Sequence, residues 1–113
     1  MLRIDNDSNI YLTKGDSGII NIKLDNIPEG YTGLEFYVRQ SSNLDNVVFQ
    51  LPDASKGSIS FDSENLIYTI TLLPNATANI KRKNYVYDFK LTGDNLVTTF
   101  LGGDVNKMNF VVT

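Results

Sequence analysis

Apolar and polar residues alternate along much of the chain. Between residues 85 and 92 every second side chain is large and apolar, whereas Asp88 and Lys90 fall on the opposite face. Because successive side chains of a β-strand point to opposite sides, this period of two predicts a half-buried strand. The same alternation predicts core strands at residues 34–39 and 68–72. Weaker versions of the pattern predict six further strands, at residues 10–13, 19–24, 47–51, 58–61, 96–101 and 108–112.

Turn-forming residues lie between these segments. Clusters that contain glycine, proline, asparagine or aspartate occur at residues 14–16, 28–30, 56–57, 92–95 and 102–104. The clearest hairpin prediction is the short polar turn at residues 93–95, because it joins two alternating segments. No stretch longer than about ten residues has the period of a helix, and Pro74 begins a segment that predicts one helical turn at residues 74–80. These signals predict an all-β protein of about nine short strands.

The length and composition fit one globular domain. A chain of 113 residues can bury a core but is too short for two domains, so we predict a single β-sandwich domain over residues 1–113. An apolar share of 42% with 20% charged residues is an ordinary globular mixture. No apolar run approaches the roughly 20 residues of a membrane helix. The first nine residues also lack the order of a signal peptide. We therefore expect no membrane association and no export by that route.

The charge balance argues against a nucleic-acid partner. The formal charge is −3, and the only basic cluster is the triplet of residues 81–83, which we interpret as a solvated turn. Nucleic-acid binding normally needs a concentrated positive face. We therefore expect no nucleic-acid partner.

The absence of histidine and cysteine restricts the available chemistry. Disulfides, zinc sites built on these residues and a Ser-His-Asp site are impossible within the chain. Carboxylates, lysines and tyrosines remain, or a partner chain. We expect no cofactor, no resident metal and no enzymatic activity.

One short motif matches protease signatures. Residues 15–18 read Gly-Asp-Ser-Gly, which resembles the nucleophile segment of trypsin-like proteases, but no histidine is present to accept the proton. Residues 16–18 also match the Asp-Ser-Gly of retroviral-type aspartic proteases, and residues 101–104 loosely echo a second segment of that family. That chemistry needs a buried carboxylate pair at a dimer axis. Lys14 and Gly15 replace the apolar approach to the motif, so the protease is a remote alternative.

Two further groups of residues suggest ligands. Residues 5–9 resemble the start of a calcium loop, yet Ile10 occupies the position that needs a sharp turn. Six tyrosines suggest sugar stacking, and Tyr11, Tyr31 and Tyr37 are the candidates for exposure, whereas Tyr85 and Tyr87 fall on the apolar stripe. A carbohydrate- or receptor-binding β-sandwich is therefore the alternative function.

The order of several segments along the chain resembles that of a known protein family. Residues 11–17, 34–39, 72–80, 85–91 and 103–113, taken in order, resemble the small β-sandwich modules of tailed bacteriophages and prophages, similar to the N-terminal domain of phage baseplate upper proteins. The resemblance implies an immunoglobulin-like antiparallel β-sandwich of about seven to nine strands. In it, the turn at residues 14–16 sets a hairpin. The matching elements are folding signals, so no site residue is transferred.

The resemblance also implies a role. It predicts a structural protein of a phage tail, baseplate or neck, located in the virion after assembly in the bacterial cytoplasm, with other tail or baseplate proteins as partners and a homo-oligomer as a further option. Sheet edges are the expected contact mode. The candidate contact residues are Tyr37 and Arg39, because they lie opposite the stripe of Leu34, Phe36 and Val38 and belong to types enriched at interfaces.

Overall fold

The computed structural model describes residues 1–102 and 108–113, so the turn expected at residues 102–104 falls mostly outside the described residues. The described chain contains ten strands and one short 3-10 turn, Pro74–Ala76, in the segment where a helical turn was expected. The all-β prediction is confirmed. The strands are β1 (Leu2–Ile4), β2 (Ile10–Leu12), β3 (Gly18–Lys23), β4 (Tyr31–Gln40), β5 (Asn43–Leu51), β6 (Gly57–Asp62), β7 (Ile67–Leu72), β8 (Asn84–Gly93), β9 (Leu96–Gly102) and β10 (Met108–Val112).

The strands form two sheets with a shared core. The large sheet has the order β1-β2-β10-β8-β4-β5, and β9 also pairs with β8. β10 pairs with residues 84–87 of β8 and β9 pairs with residues 88–93, so these two strands follow one another along β8. The small sheet has the order β3-β7-β6. The two sheets form a sandwich, in which the apolar face of each sheet packs against that of the other.

Three features differ from the expectation. β1 is a tenth strand, and its three residues are too few to reveal an alternation in the sequence. β10 pairs with β2 in parallel, an arrangement that needs a long connection between the strands, here residues 13–107. The turn at Lys14 to Asp16 does not set a hairpin, since β2 belongs to the large sheet and β3 to the small one. Gly15 has φ of 81°, the left-handed conformation that glycine adopts without strain, so it bends the chain from one sheet to the other.

The core lies between the two sheets and follows the alternation of the sequence. Phe36 is completely buried, and its ring contacts the rings of Phe49, Tyr87, Phe89 and Phe110. The predicted inward rows of β4, β7 and β8 are confirmed as buried: Leu34, Phe36, Val38, Tyr68, Ile70, Leu72, Tyr85, Tyr87, Phe89 and Leu91. These side chains form a single cluster, which fixes the outward direction of their neighbours on β4 and β8.

The hairpin between β8 and β9 is confirmed. Gly93 pairs with Leu96, so the connection consists of Asp94 and Asn95 alone, and Asn95 has φ of 60°. Asparagine tolerates this left-handed conformation better than most residues. The end of this hairpin packs against the loop before β4, because a Cβ added at Gly93 would lie 1.9 Å from the carbonyl oxygen of Gly30.

This close approach gives a first prediction. We expect Gly93→Ala to lower the free energy of unfolding by about 1–3 kcal/mol, as inserted methyl groups do when they displace backbone. Gly33→Ala is the matched control on the neighbouring strand, because its Cβ would meet only the mobile hydroxyl of Thr92, at 2.9 Å. Urea denaturation of both variants checks the prediction, and equal losses in the two would contradict it.

Candidate interaction surface

Tyr37 and Arg39 lie on the outer face of the large sheet, as predicted. Both are half-buried, and they alternate along β4 with the buried core residues. Tyr37 is flanked by Asp88 on β8 and by Gln50 on β5, and Arg39 is paired with Val47 on β5. The two predicted contact residues therefore lie one strand in from the edge of the sheet.

A buried carboxylate organises this face. Asp88 points outward, yet it is only 2% exposed. Its Oδ1 atom accepts a hydrogen bond from Arg39 Nε at 2.8 Å. Its Oδ2 atom has no hydrogen-bond partner among the described residues and lies 3.5 Å from Lys90 Nζ. Arg39 also donates from Nη1 to the backbone oxygen of Leu44 at 3.1 Å. The guanidinium of Arg39 thus links β4 by hydrogen bonds to β8 on one side and to β5 on the other. These bonds hold the Arg39 side chain in one conformation.

Two cations lie close to the ring of Tyr37. The guanidinium carbon of Arg39 is 4.7 Å from the ring centroid, and Lys90 Nζ is 5.9 Å from it. The Tyr37 hydroxyl donates to Glu35 Oε1 at 2.8 Å. Burial, followed by the hydrogen bond to Glu35, raises the pKa of Tyr37 above its ordinary value, so the phenol stays neutral and remains a donor.

We call Glu35, Tyr37, Arg39, Asp88 and Lys90 the outer-face patch. It contains two carboxylates and two cations, so it is neutral overall and carries an aromatic ring at its centre. Such a surface suits contact with a protein, because most of its charges are already paired and its groups are held in place before a partner arrives. Sequence reasoning identified two of the five residues. The role of Asp88 was missed, since its alternation indicates an outward side chain and gives no sign of burial.

The strand beside the patch is an open edge. β5 has nine residues and pairs with β4 alone among the described strands. Asp45 is its only charged residue, and Val47 is 37% exposed. The register between β4 and β5 shifts on both sides of Arg39, which is the kind of irregularity that natural edges contain. The patch and this edge form one continuous surface.

The protease motif lies in an exposed place. The side chain of Asp16 is 47% exposed in the turn between β2 and β3, and its carboxylate contacts the amino group of Met1. Aspartic-protease chemistry depends on desolvation of a carboxylate pair, and a turn open to solvent does not supply it. Of the second segment, Gly103 and Asp104 lie outside the described residues.

The calcium-like segment is satisfied by its own hydrogen bonds. The two oxygens of Asp5 accept bonds from the backbone of Asp7 and Asn9, the amide of Asn9 and the hydroxyl of Tyr11. These bonds, led by that from the Asn9 backbone, lower the pKa of Asp5. Among residues 1–102 and 108–113 no three carboxylates are close enough to hold a metal ion.

The tyrosines offer little free ring surface. Tyr85 and Tyr87 are buried, as expected, and burial raises the pKa of Tyr87 to about 12. Tyr11, Tyr31 and Tyr37 are only half-buried rather than exposed. The guanidinium carbon of Arg3 lies 4.1 Å from the ring centroid of Tyr11, so a cation occupies one face of this ring. Stacking of a sugar would have to use the other face.

Comparison of the chain with models of known protein families and with curated proteins finds no match in either. Within the described ranges, no helix is long and apolar enough to span a membrane. The outer-face patch, the β5 edge and the distribution of charge therefore provide the observations that bear on function.

Proposed function

We propose that this protein is a non-enzymatic assembly module that binds other proteins through the β5 edge and the outer-face patch. The biological setting we propose is a phage or prophage tail, baseplate or neck, with other tail or baseplate proteins as partners. The setting is supported only by the resemblance in the order of segments. The mode of binding is supported by one observation: β5, a nine-residue edge strand, pairs on only one side among the described strands and lies beside the outer-face patch.

The mode follows from the chemistry of an open edge. The outward backbone groups of an edge strand can pair with an extended segment of another chain, which supplies affinity through main-chain hydrogen bonds. Side chains beside the edge then supply specificity. Val47 and Gln50 alternate with the core residues of β5 and lie next to Arg39 and Tyr37, so a partner strand added to β5 would contact the patch as well.

Each contact of this kind is small. Many copies in one particle would add their contacts, so that avidity replaces high affinity at a single site. The paired charges of the patch would also remain paired in the complex, so little desolvation cost opposes binding.

The proposal is tested by co-expression with the products of the genes that flank its own. We expect tagged wild-type protein to capture at least one flanking product, and the variant with Val47→Lys and Gln50→Lys to lose it, because lysines at an edge oppose strand addition. Ser60→Lys is the matched control, since Ser60 is an exposed residue of β6, an edge strand of the small sheet.

Amide hydrogen exchange on the captured complex tests the mode directly. We expect the backbone amides of residues 43–51 to exchange more slowly in the complex than in the free protein. Capture that survives the two lysines unchanged, or exchange at β5 that stays as fast as in the free chain, would contradict edge pairing. Flanking genes unrelated to virions would contradict the proposed setting.

A further inference from the structure

Basic residues collect at one end of the sandwich. Lys14 lies in the turn before β3, Lys56 lies before β6, and residues 81–83 lie before β8. Hydrogen bonds connect these loops: Gly15 N donates to Thr77 Oγ1 at 2.9 Å, and Lys56 Nζ donates to the backbone oxygen of Asn75 at 3.2 Å. We call this group the basic end, and it consists of Lys14, Lys56, Lys81, Arg82 and Lys83. Three acidic residues lie in the same region, namely Asp16, Asp45 and Asp53.

Acidic residues collect at the other end. The loop after β3, the turn between β6 and β7 and the turn after β8 meet there, because Leu24 N donates to the backbone oxygen of Leu66 at 2.9 Å and Gly30 approaches Gly93 closely. We call this group the acidic end, and it consists of Asp25, Glu29, Asp62, Glu64 and Asp94. Lys23 is the basic residue that lies closest to it in sequence.

The two ends are opposite because the same strands connect them. β3 runs from the turn containing Lys14 to the loop containing Asp25, and β8 runs from Lys83 to Asp94. β7 runs in the opposite direction, from the turn containing Glu64 to the loop before Lys81, so it also connects the acidic end to the basic end. β8 has ten residues, which corresponds to about 33 Å of extended chain. The molecule is therefore polarised along its strands, although its net charge is small.

Most of the charges of the two ends are available to a partner, although Lys56 is hydrogen-bonded to Asn75 and Lys83 Nζ lies 5.3 Å from the ring centroid of Tyr85. Within the described part of the chain, the ion pairs join Met1 to Asp16 and join Arg39 and Lys90 to Asp88, so no member of either end is included. Residues 81–83 and all five residues of the acidic end are exposed. Hydrogen bonds from Asn65 lower the pKa of Asp62, so this carboxylate keeps its charge at mildly acidic pH.

We propose that copies of this chain bind one another end to end, with the basic end of one copy against the acidic end of the next. The partner is a second copy because the two complementary surfaces are present on the same molecule. Such a contact is heterologous, so it generates a ring if it closes and a filament if it does not. This inference names a partner for the proposed assembly role and relies on that role only for its biological setting, since it uses a surface other than the β5 edge.

Self-association measured by sedimentation velocity tests the proposal. We expect concentration-dependent oligomers at about 0.01 M salt and monomers at about 1 M salt, because the screening length falls from about 30 Å to about 3 Å. A basic-end variant carries Lys14→Glu, Lys81→Glu and Arg82→Glu. An acidic-end variant carries Asp25→Lys, Glu29→Lys and Glu64→Lys. None of these six side chains makes a hydrogen bond or ion pair within the described residues, so both variants should fold.

Each variant alone should bind itself at least about tenfold more weakly than wild type, since three contacts become repulsive. An equal mixture of the two variants should associate again, because one now has two acidic ends and the other two basic ends. Val47→Lys with Gln50→Lys should leave low-salt association intact, which separates this inference from edge pairing. Monomeric wild type at low salt, reversal variants that associate as wild type does, a mixture that stays monomeric, or loss of association in the edge variant would each overturn the proposal.

Discussion

Replacing Phe36 with alanine will lower the free energy of unfolding by about 3–5 kcal/mol, the usual cost of removing a buried aromatic ring. Phe36 has no exposed surface. Its ring centroid lies 4.6 Å from that of Phe89 and 5.8 Å from that of Tyr87. The ring centroids of Phe49 and Phe110 lie 6.2 Å and 6.1 Å away. Removal of the ring leaves a cavity between side chains of three neighbouring strands, β5, β8 and β10, which cannot all move to fill it. Urea denaturation of the purified variant measures the loss.

Two comparisons make this expectation specific. Phe61→Ala should cost far less, because Phe61 is 41% exposed and its ring contacts only that of Tyr68 among the aromatic residues described. Phe36→Leu should remain folded if the alanine variant does not, since it removes less volume. A loss below about 1 kcal/mol for Phe36→Ala, where single core truncations normally exceed that value, would show that the core is not centred on this ring.

The second large effect concerns the outer-face patch. Arg39→Met will lower the free energy of unfolding by about 3 kcal/mol, because it leaves the carboxylate of Asp88 buried without its hydrogen-bonded cation. The side chain of Asp88 is 3% exposed and that of Arg39 is 21% exposed, so water cannot easily take the place of the guanidinium. Methionine preserves most of the apolar stem, so the loss reports mainly on the charge.

The controls separate the roles of the two cations. Lys90→Met should cost about 1 kcal/mol or less, because the Lys90 nitrogen is 3.5 Å from the carboxylate and donates its hydrogen bond to Thr99 instead. Asp88→Asn in the Arg39→Met background should restore part of the loss, since it removes the unpaired charge. Equal losses for Arg39→Met and Lys90→Met, or no recovery in the double variant, would contradict the role assigned to Arg39.

The faces of the strands could be predicted from the sequence, whereas their partners could not. The alternation in β8 correctly separates Tyr87 and Phe89 from Asp88, because side-chain direction is a local property of a strand. The assignment of β2 and β3 to different sheets depends on contacts that are distant in sequence. The hairpin expected at Lys14 to Asp16 was wrong for this reason: a short polar turn permits a crossing between sheets as readily as a return within one.

In the candidate surface, too, local features could be predicted from the sequence and long-range contacts could not. Tyr37 and Arg39 could be selected because residue type and alternation are visible in the sequence. Their connection to Asp88 depends on the register between β4 and β8, which places Tyr37 opposite Asp88 across 51 residues of chain. The polarity of the sandwich is likewise invisible along the sequence, because its charged residues come together only when the loops do. The triplet at residues 81–83 was correctly expected to be exposed, and its relation to the acidic loops emerged only from the topology.

The parallel pairing of β2 with β10 determines when the large sheet can be completed. Asn9 and Asn109, which flank this pair, are hydrogen-bonded although they are 100 residues apart. During synthesis Ile10 and Leu12 therefore leave the ribosome long before the strand that pairs with β2 exists, and only the three residues of β1 can pair with β2 in that interval. Contacts of such high sequence separation form late and slow folding. The inner edge of β2 therefore lacks its partner in the large sheet until residues 108–112 have been synthesised.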